Sequence, residues 1–184
     1  MSKNGTVYKY GGIYPQEGMW DFSSNISSIA PRNGEIWELN TKTRNWTKTA
    51  QPSGQQFLGA KNGGATSIPS EDSAFFIGGW SNNMTDGRLK DWTHWESLAH
   101  QSMLAWDIKG NEMLNISTSF KAVILSSLVH VPVGEKGILV SLGGNQYSGS
   151  RFNYPLSSPG LMPVSLSSYI MLLKILCSRR LITT

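Results

Sequence analysis

The chain has 184 residues, a formal net charge of +4 and only 15% charged side chains. That length suffices to bury a sizeable core, and Lys and Arg stay scattered until Arg179-Arg180, so no basic stripe points to a nucleic-acid partner. Cys177 is the only cysteine, which excludes an internal disulfide and any cysteine-based zinc cluster.

Abundant Gly, Ser, Thr and Asn, with seven Trp, predict an all-β chain rich in turns. Residues 1–9 hold no apolar core long enough for a signal peptide. Residues 6–10 read as a strand that runs into Gly11-Gly12, and residues 35–39 alternate between faces. Residues 40–44 turn the chain, and Trp46-Thr47-Lys48 closes that group. A strand over 63–68 is ended by Pro69 and the Ser70-Glu71-Asp72 turn, because Pro lacks a ladder donor and Asp and Ser favour turns. Residues 73–77 form a buried strand ending in Gly78-Gly79. A long connection passes Asn82-Asn83 and Asp86-Gly87, and its segment 91–102 admits a short helix. Strands are expected at 103–106 and 113–116, with a turn at 107–110. Residues 123–131 read as one strand, 132–136 as a turn, and 137–142 as a strand ending in Gly143-Gly144.

The second glycines of the three pairs are Gly12, Gly79 and Gly144, so the interval between pairs is nearly constant. Such an interval marks one structural unit rebuilt along the chain. Asn40 precedes Trp46 by the same spacing as Asp107 precedes Met113. The Asn or Asp can hydrogen-bond its own turn while the large apolar residue packs between sheets. Glycine pairs after a hydrophobic strand, then this Asn/Asp-to-Trp spacing, resemble the Kelch repeat. The wording Tyr10-Gly11-Gly12-Ile13-Tyr14-Pro15, Trp37-Glu38-Leu39-Asn40 and Ile77-Gly78-Gly79-Trp80 is similar to fungal Kelch proteins grouped with the galactose-oxidase central domain. The motif residues are Gly11, Gly12, Asn40, Trp46, Gly78, Gly79, Asp107, Gly143 and Gly144, with Met113 in place of the usual Trp. The resemblance spans about residues 7–147. It implies a partial β-propeller of about two and a half four-stranded blades: an incomplete blade over 1–56, a complete one over 57–118, the first half of another over 119–157, and an atypical tail over 158–184. Unpaired strand edges would remain, an aggregation hazard, so the chain reads as part of a larger propeller or a truncated product.

In the tail, the spacing from Gly79 to Asp107 predicts an Asp or Asn near Leu172 and a Trp near Ser178, and neither is present. Two readings follow: a frameshift or unspliced intron beginning between Tyr147 and Leu166, or a short amphipathic helix docked on the open edge, for which Met171, Leu172, Leu173 and Leu176 are good formers. The apolar run 169–177 is far short of the roughly 20 residues that span a bilayer.

No residue is expected to be catalytic, to bind a cofactor or to ligate a metal. The resemblance raises the case of galactose oxidase's copper centre, built from tyrosines and histidines with one tyrosine crosslinked to cysteine. Here His94, His100 and His130 form no tight metal pair, no position matches that copper motif, and for His94 and His100 exposed loop histidines are the simpler expectation than a metal site. Ser148-Gly149-Ser150 is a polar turn rather than a nucleophile elbow, and residues 59–64 lack the Gly-Lys-Ser/Thr ending of a phosphate loop. Asn4, Asn25, Asn45, Asn83 and Asn115 open Asn-x-Ser/Thr sequons, and are either glycosylation sites or turn asparagines. Tyr14, Trp20, Trp80, Trp92 and Trp95 follow glycine pairs in long loops, where binding residues concentrate. They either contact a partner or pack on their own blade. The expected function is a non-catalytic interaction module for a protein or glycan, extracellular or at the cell surface, without a cofactor. The alternatives are a remnant of a secreted oxidase-like propeller and a truncated chain with no independent function.

Overall fold

The computed structural model describes residues 5–12, 35–49, 52–54, 58–89, 91, 96–118, 121–134, 137–147, 151–153 and 171–174. In chain order the strands are β1 (Thr6–Tyr10), β2 (Ile36–Asn40), β3 (Asn45–Lys48), β4 (Ser53–Gly54), β5 (Gly64–Ile68), β6 (Ser73–Ile77), β7 (Trp80–Ser81) and β8 (Glu96–Ala99). They continue with β9 (Ser102–Asp107), β10 (Glu112–Ser117), β11 (Ala122–Ile124), β12 (Ser127–Val131), β13 (Ile138–Leu142), β14 (Asn145–Tyr147), β15 (Arg151–Asn153) and β16 (Met171–Lys174). Two 3-10 turns, Pro69–Glu71 and Gly87–Leu89, are the helical elements among the described residues. The fold is all-β, its sheets are mainly antiparallel, and none closes on itself. No helix among the described residues is long and apolar enough to cross a membrane.

Three sheets follow one another along the chain. The first is β1-β2-β3. The second is an antiparallel meander, β5-β6-β9-β10, with β4 added in parallel beside β10. The third is β12-β13-β16. The middle sheet is apolar on both faces. On β6, Ala74 and Phe76 face the first sheet while Phe75 and Ile77 face the third. On β9, Leu104 and Trp106 face the first and Met103 the third. One core joins Ile36, Tyr8 and Tyr10 to Leu104, Trp106 and Met113, with Tyr8 edge-on to Trp106 at 4.9 Å. The other joins Ile68, Phe75, Ile77 and Met103 to Leu128 and Leu139. This two-sided burial explains why β6 reads as a continuous apolar run.

The glycine pairs sit at the joints between sheets. The Gly12 amide donates to the Ala60 carbonyl at 2.9 Å, and the Gly79 amide donates to the Val123 carbonyl at 2.7 Å. The preceding glycines, Gly11 and Gly78, have φ of 66° and 64°. A Cβ on Gly11 would stand 2.2 Å from the Ala60 oxygen, and one on Gly78 would stand 1.9 Å from the Val123 oxygen. Only glycine permits both the left-handed turn and that approach. Gly143 has a φ of 68°, but no described residue lies within 4 Å of where its Cβ would be. The third pair thus repeats the conformation of the others, but its close approach is at Gly144, where a Cβ would stand 2.6 Å from the Ile124 oxygen, and not at Gly143.

The motif turns form as their residues dictate. Asn40 Oδ1 accepts from the Lys42 and Thr43 amides at 3.0 and 3.1 Å, and Asp107 Oδ1 accepts from Gly110 at 3.0 Å. The large apolar partners of these turns diverge. Met113 is buried against the first sheet, whereas Trp46 is 48% exposed. The expectation that Trp46 packs between sheets is therefore corrected: its face of the first sheet has no sheet opposite it among the described residues.

Three further expectations change. Residues 123–131 are not one strand. The chain breaks at Leu125, whose φ is 59°, because β11 pairs with β14 while β12 pairs with β13. Residues 96–99 are a strand rather than helix, held in a hairpin with β7. In the tail, residues 171–174 are a strand, not a helix. They pair antiparallel with β13 from Ile138↔Lys174 to Ser141↔Met171, which satisfies backbone groups that the edge of β13 would otherwise expose. The third sheet therefore has three strands, where half a blade was expected.

Candidate functional site

The connection between β6 and β9 builds the most elaborate polar cluster in the described structure. Gly78 and Gly79 turn the chain out of β6 straight into β7, and the His100 amide returns to the Gly79 carbonyl at 3.0 Å. The β7–β8 hairpin between them pairs Trp80 with Ala99 and Ser81 with Leu98, and β15 adds beside β8. Trp80 also exchanges two backbone hydrogen bonds with Lys61, at 2.9 and 3.0 Å. The loop after β7 thereby folds over residues 58–61.

Ser81 is fully buried. Its Oγ donates to the Gly59 carbonyl at 2.7 Å and lies 2.6 Å from His100 Nε2. A hydroxyl has one proton, and the carbonyl can only accept. His100 Nε2 must then carry the hydrogen that bonds Ser81, which leaves Nδ1 as the acceptor of a neutral ring. Burial pushes the His100 pKa down to about 4, against a smaller opposing pull from Asp86, so the ring is neutral at pH 7. Asp86 is fully buried too. Its Oδ2 accepts from the Gly59 amide at 2.7 Å, and both oxygens are gripped by the Arg88 guanidinium at 2.9 and 2.7 Å. Burial alone would raise its pKa, but the bonds from Arg88 and the two backbone amides outweigh that and hold the carboxyl below its usual range. The carboxylate in turn raises the Arg88 pKa.

Ser81, His100 and Asp86 share their residue types with a hydrolytic triad but not its geometry. In a triad the carboxylate holds the imidazole and the hydroxyl is open to substrate. Here the Asp86 oxygens are taken up by Arg88 and Gly59, and the Ser81 hydroxyl is sealed from solvent. The arrangement is a buried clamp that fixes residues 58–61 beneath the hairpin.

Beside the clamp lies a cavity of about 220 Å³. Its polar lining is His100, Ser102 and Asn115, and its apolar lining includes Leu58, Phe76, Leu98 and Leu104. It opens on the face of the middle sheet that turns toward the first sheet, whose Tyr10 hydroxyl donates to the Leu58 carbonyl at 3.0 Å. Small-molecule pockets usually run from about 300 Å³ upward. This one suits a single sugar ring or one side chain of a partner, not a large cofactor.

The expected site residues fare differently. Trp80 is 4% exposed, with the Lys61 ammonium 3.7 Å above its ring. It packs on its own unit, the second of the two alternatives given for it, and is not available to a partner. Its partner Lys61 is also partly desolvated, which lowers its pKa to about 8. Tyr14, Trp20, Trp92 and Trp95 lie outside the described residues, as do Asn4, Asn25 and His94. Asn45 and Asn115 are exposed and Asn83 is half-buried. His100 is no exposed loop histidine; the hairpin carries it inward to Ser81. Among the described residues, no group of three or more His, Cys, Asp and Glu is placed to hold a metal ion. No protein-family model matches the chain, and no curated protein matches it.

Proposed function

We propose that the chain is a non-catalytic Kelch-type interaction module, part of a β-propeller, that binds a glycan or a protein side chain at the His100 cavity beside the β7–β8 hairpin. The observation that carries this reading is a small, mixed polar and apolar cavity fixed by a buried hydrogen-bonded clamp. A neutral imidazole acceptor, a hydroxyl and an amide answer the donors and acceptors of sugar hydroxyls, while the leucines and Phe76 answer a ring's apolar face. The sealed Ser81 and the occupied Asp86 speak for binding over catalysis. The exposed sequon at Asn45 supports an extracellular or cell-surface setting. A glycan on Asn115 would stand at the cavity itself, so the unglycosylated protein is the form to test.

The test uses arrays of neutral saccharides and of peptides, probed with the tagged parent chain and with a tagged Leu98→Trp variant, which fills the cavity. Saturable binding that Leu98→Trp abolishes supports the reading. No binding to either array, or binding that Leu98→Trp leaves intact, removes it.

A further inference from the structure

Three Asn-x-Ser/Thr sequons fall among the described residues, and they stand in different surroundings. Asn45 and Thr47 are exposed on β3. Asn83 is half-buried, and the Thr85 hydroxyl of its sequon is fully buried, donating to the Asn82 carbonyl at 3.0 Å and accepting from the Asn82 amide at 2.9 Å. A bulky glycan at Asn83 would force that turn open. Asn115 and Ser117 are exposed on β10. Across the ladder, Asn115 lies opposite Leu104 and Ser117 opposite Ser102. Those two residues of β9 line the His100 cavity, and so does Asn115 itself. On the other side of β10, β4 reaches only Glu112 and Met113, so among the described residues no strand flanks the Asn115 sequon there.

We propose that Asn115 carries an N-linked glycan whose first sugar seats in the His100 cavity, so that the chain's own glycan closes this site to a partner. The inference rests on the reading of the cavity as a sugar-sized site. The first N-acetylhexosamine is bonded to the Asn115 side-chain nitrogen and therefore starts at the cavity's rim, with no linker to span. Turned inward, its ring lays apolar surface on Leu98, Leu104 and Phe76, while His100 and Ser102 meet its hydroxyls and acetamide. Turned outward, it leaves that apolar lining to water, which is the less favourable arrangement. Partner binding then belongs to chains in which Asn115 is unmodified, and occupancy of this one sequon sets how much of the protein is open to a partner.

The test uses the full chain secreted behind a cleavable leader from a glycosylating eukaryotic host, with glycopeptides read by mass spectrometry. Asn45 and Asn115 are both expected to carry glycan. On the native protein, peptide-N-glycosidase is expected to release the Asn115 glycan roughly tenfold more slowly than the Asn45 glycan, because a docked sugar is cut only when its site opens. After denaturation the two are expected to be released alike. Leu98→Trp, which fills the cavity, should bring the native Asn115 rate up to that of Asn45, with unchanged far-ultraviolet circular dichroism and a cooperative melt certifying the fold. An unmodified Asn115 overturns the proposal, as do equal native release rates in the parent chain, a comparison that needs no variant. Protection that a folded Leu98→Trp leaves in place also overturns it. None of these readouts uses a partner. Arrays that fail to bind the unglycosylated chain therefore remove the proposed function while the release rates still decide this inference, and an Asn115 glycan that does not dock leaves the array result standing.

Discussion

The middle sheet and the first sheet carry the same sequence pattern and end in different environments. Each runs from strand to glycine pair to Asn/Asp turn to a large apolar residue. In the middle sheet that residue, Met113, is buried; in the first sheet its counterpart, Trp46, is half in solvent. The turn chemistry is alike in both, with Asn40 and Asp107 each accepting local amides. Local sequence therefore determines the strand and the turn, while burial depends on whether a neighbouring sheet arrives. Most of the stability should accordingly reside in the middle sheet, whose two faces are both occupied.

The comparison can be broken most forcefully at Phe75. Truncation to Ala should cost about 3–5 kcal/mol, whereas Val7→Ala on the open face of the first sheet should cost under about 1 kcal/mol. Denaturant melts of the two variants measure both. Equal losses would contradict the difference between the sheets. The glycine pairs offer the next contrast. Gly143→Ala incurs the left-handed backbone penalty of roughly 1–2 kcal/mol. Gly78→Ala incurs the same penalty plus the clash with the Val123 carbonyl, and should lose at least about 1 kcal/mol more. Similar costs at the two sites would remove the role given to Gly78 at the joint.

The clamp supplies a pH test confined to the β7–β8 hairpin and the segment beneath it. The His100 pKa is about 4 in the folded chain against an ordinary 6.5. Between those values the unfolded chain binds the proton that the folded chain refuses, so stability falls as pH drops from 6.5 through 4. At about 1.4 kcal/mol per pKa unit, the loss approaches on the order of 3 kcal/mol. His100→Gln should flatten that part of the stability profile; a parent chain equally stable above and below this window would count against a neutral, desolvated ring. The smallest effects belong to the turns. Asn40→Ala and Asp107→Ala should each cost about 0.5–1.5 kcal/mol, and by similar amounts, because neither turn depends on a neighbouring sheet.

Much of the scaffold is legible in the chain itself. Gly11 and Gly78 mark their joints because close backbone approach and positive φ together leave no other residue type. The run at residues 73–77 announces a strand buried on both sides. The break at Leu125 carries no Gly or Pro to signal it; it comes from pairing with two different partner strands, which is a tertiary fact. The strand at residues 171–174 is hidden for the same reason, since Met-Leu-Leu-Lys favours helix locally and extends only because the edge of β13 offers a ladder. Of the candidate site, the sequence points to the loop after Gly79 but favours Trp80, which is buried, over His100. Only the hairpin brings His100 to Ser81 and the cavity, and nothing in the sequence separation of the two residues encodes that meeting.

Amide hydrogen exchange at the second glycine of each pair tests the joints most directly. The Gly12 and Gly79 amides should exchange slowly, since Gly12 bonds the Ala60 carbonyl ahead of β5 and Gly79 bonds the Val123 carbonyl in β11, while the Gly144 amide, with no such bond among the described residues, should exchange far faster. Equal protection at Gly79 and Gly144, or fast exchange at all three, would contradict an account in which the glycine pairs join successive sheets.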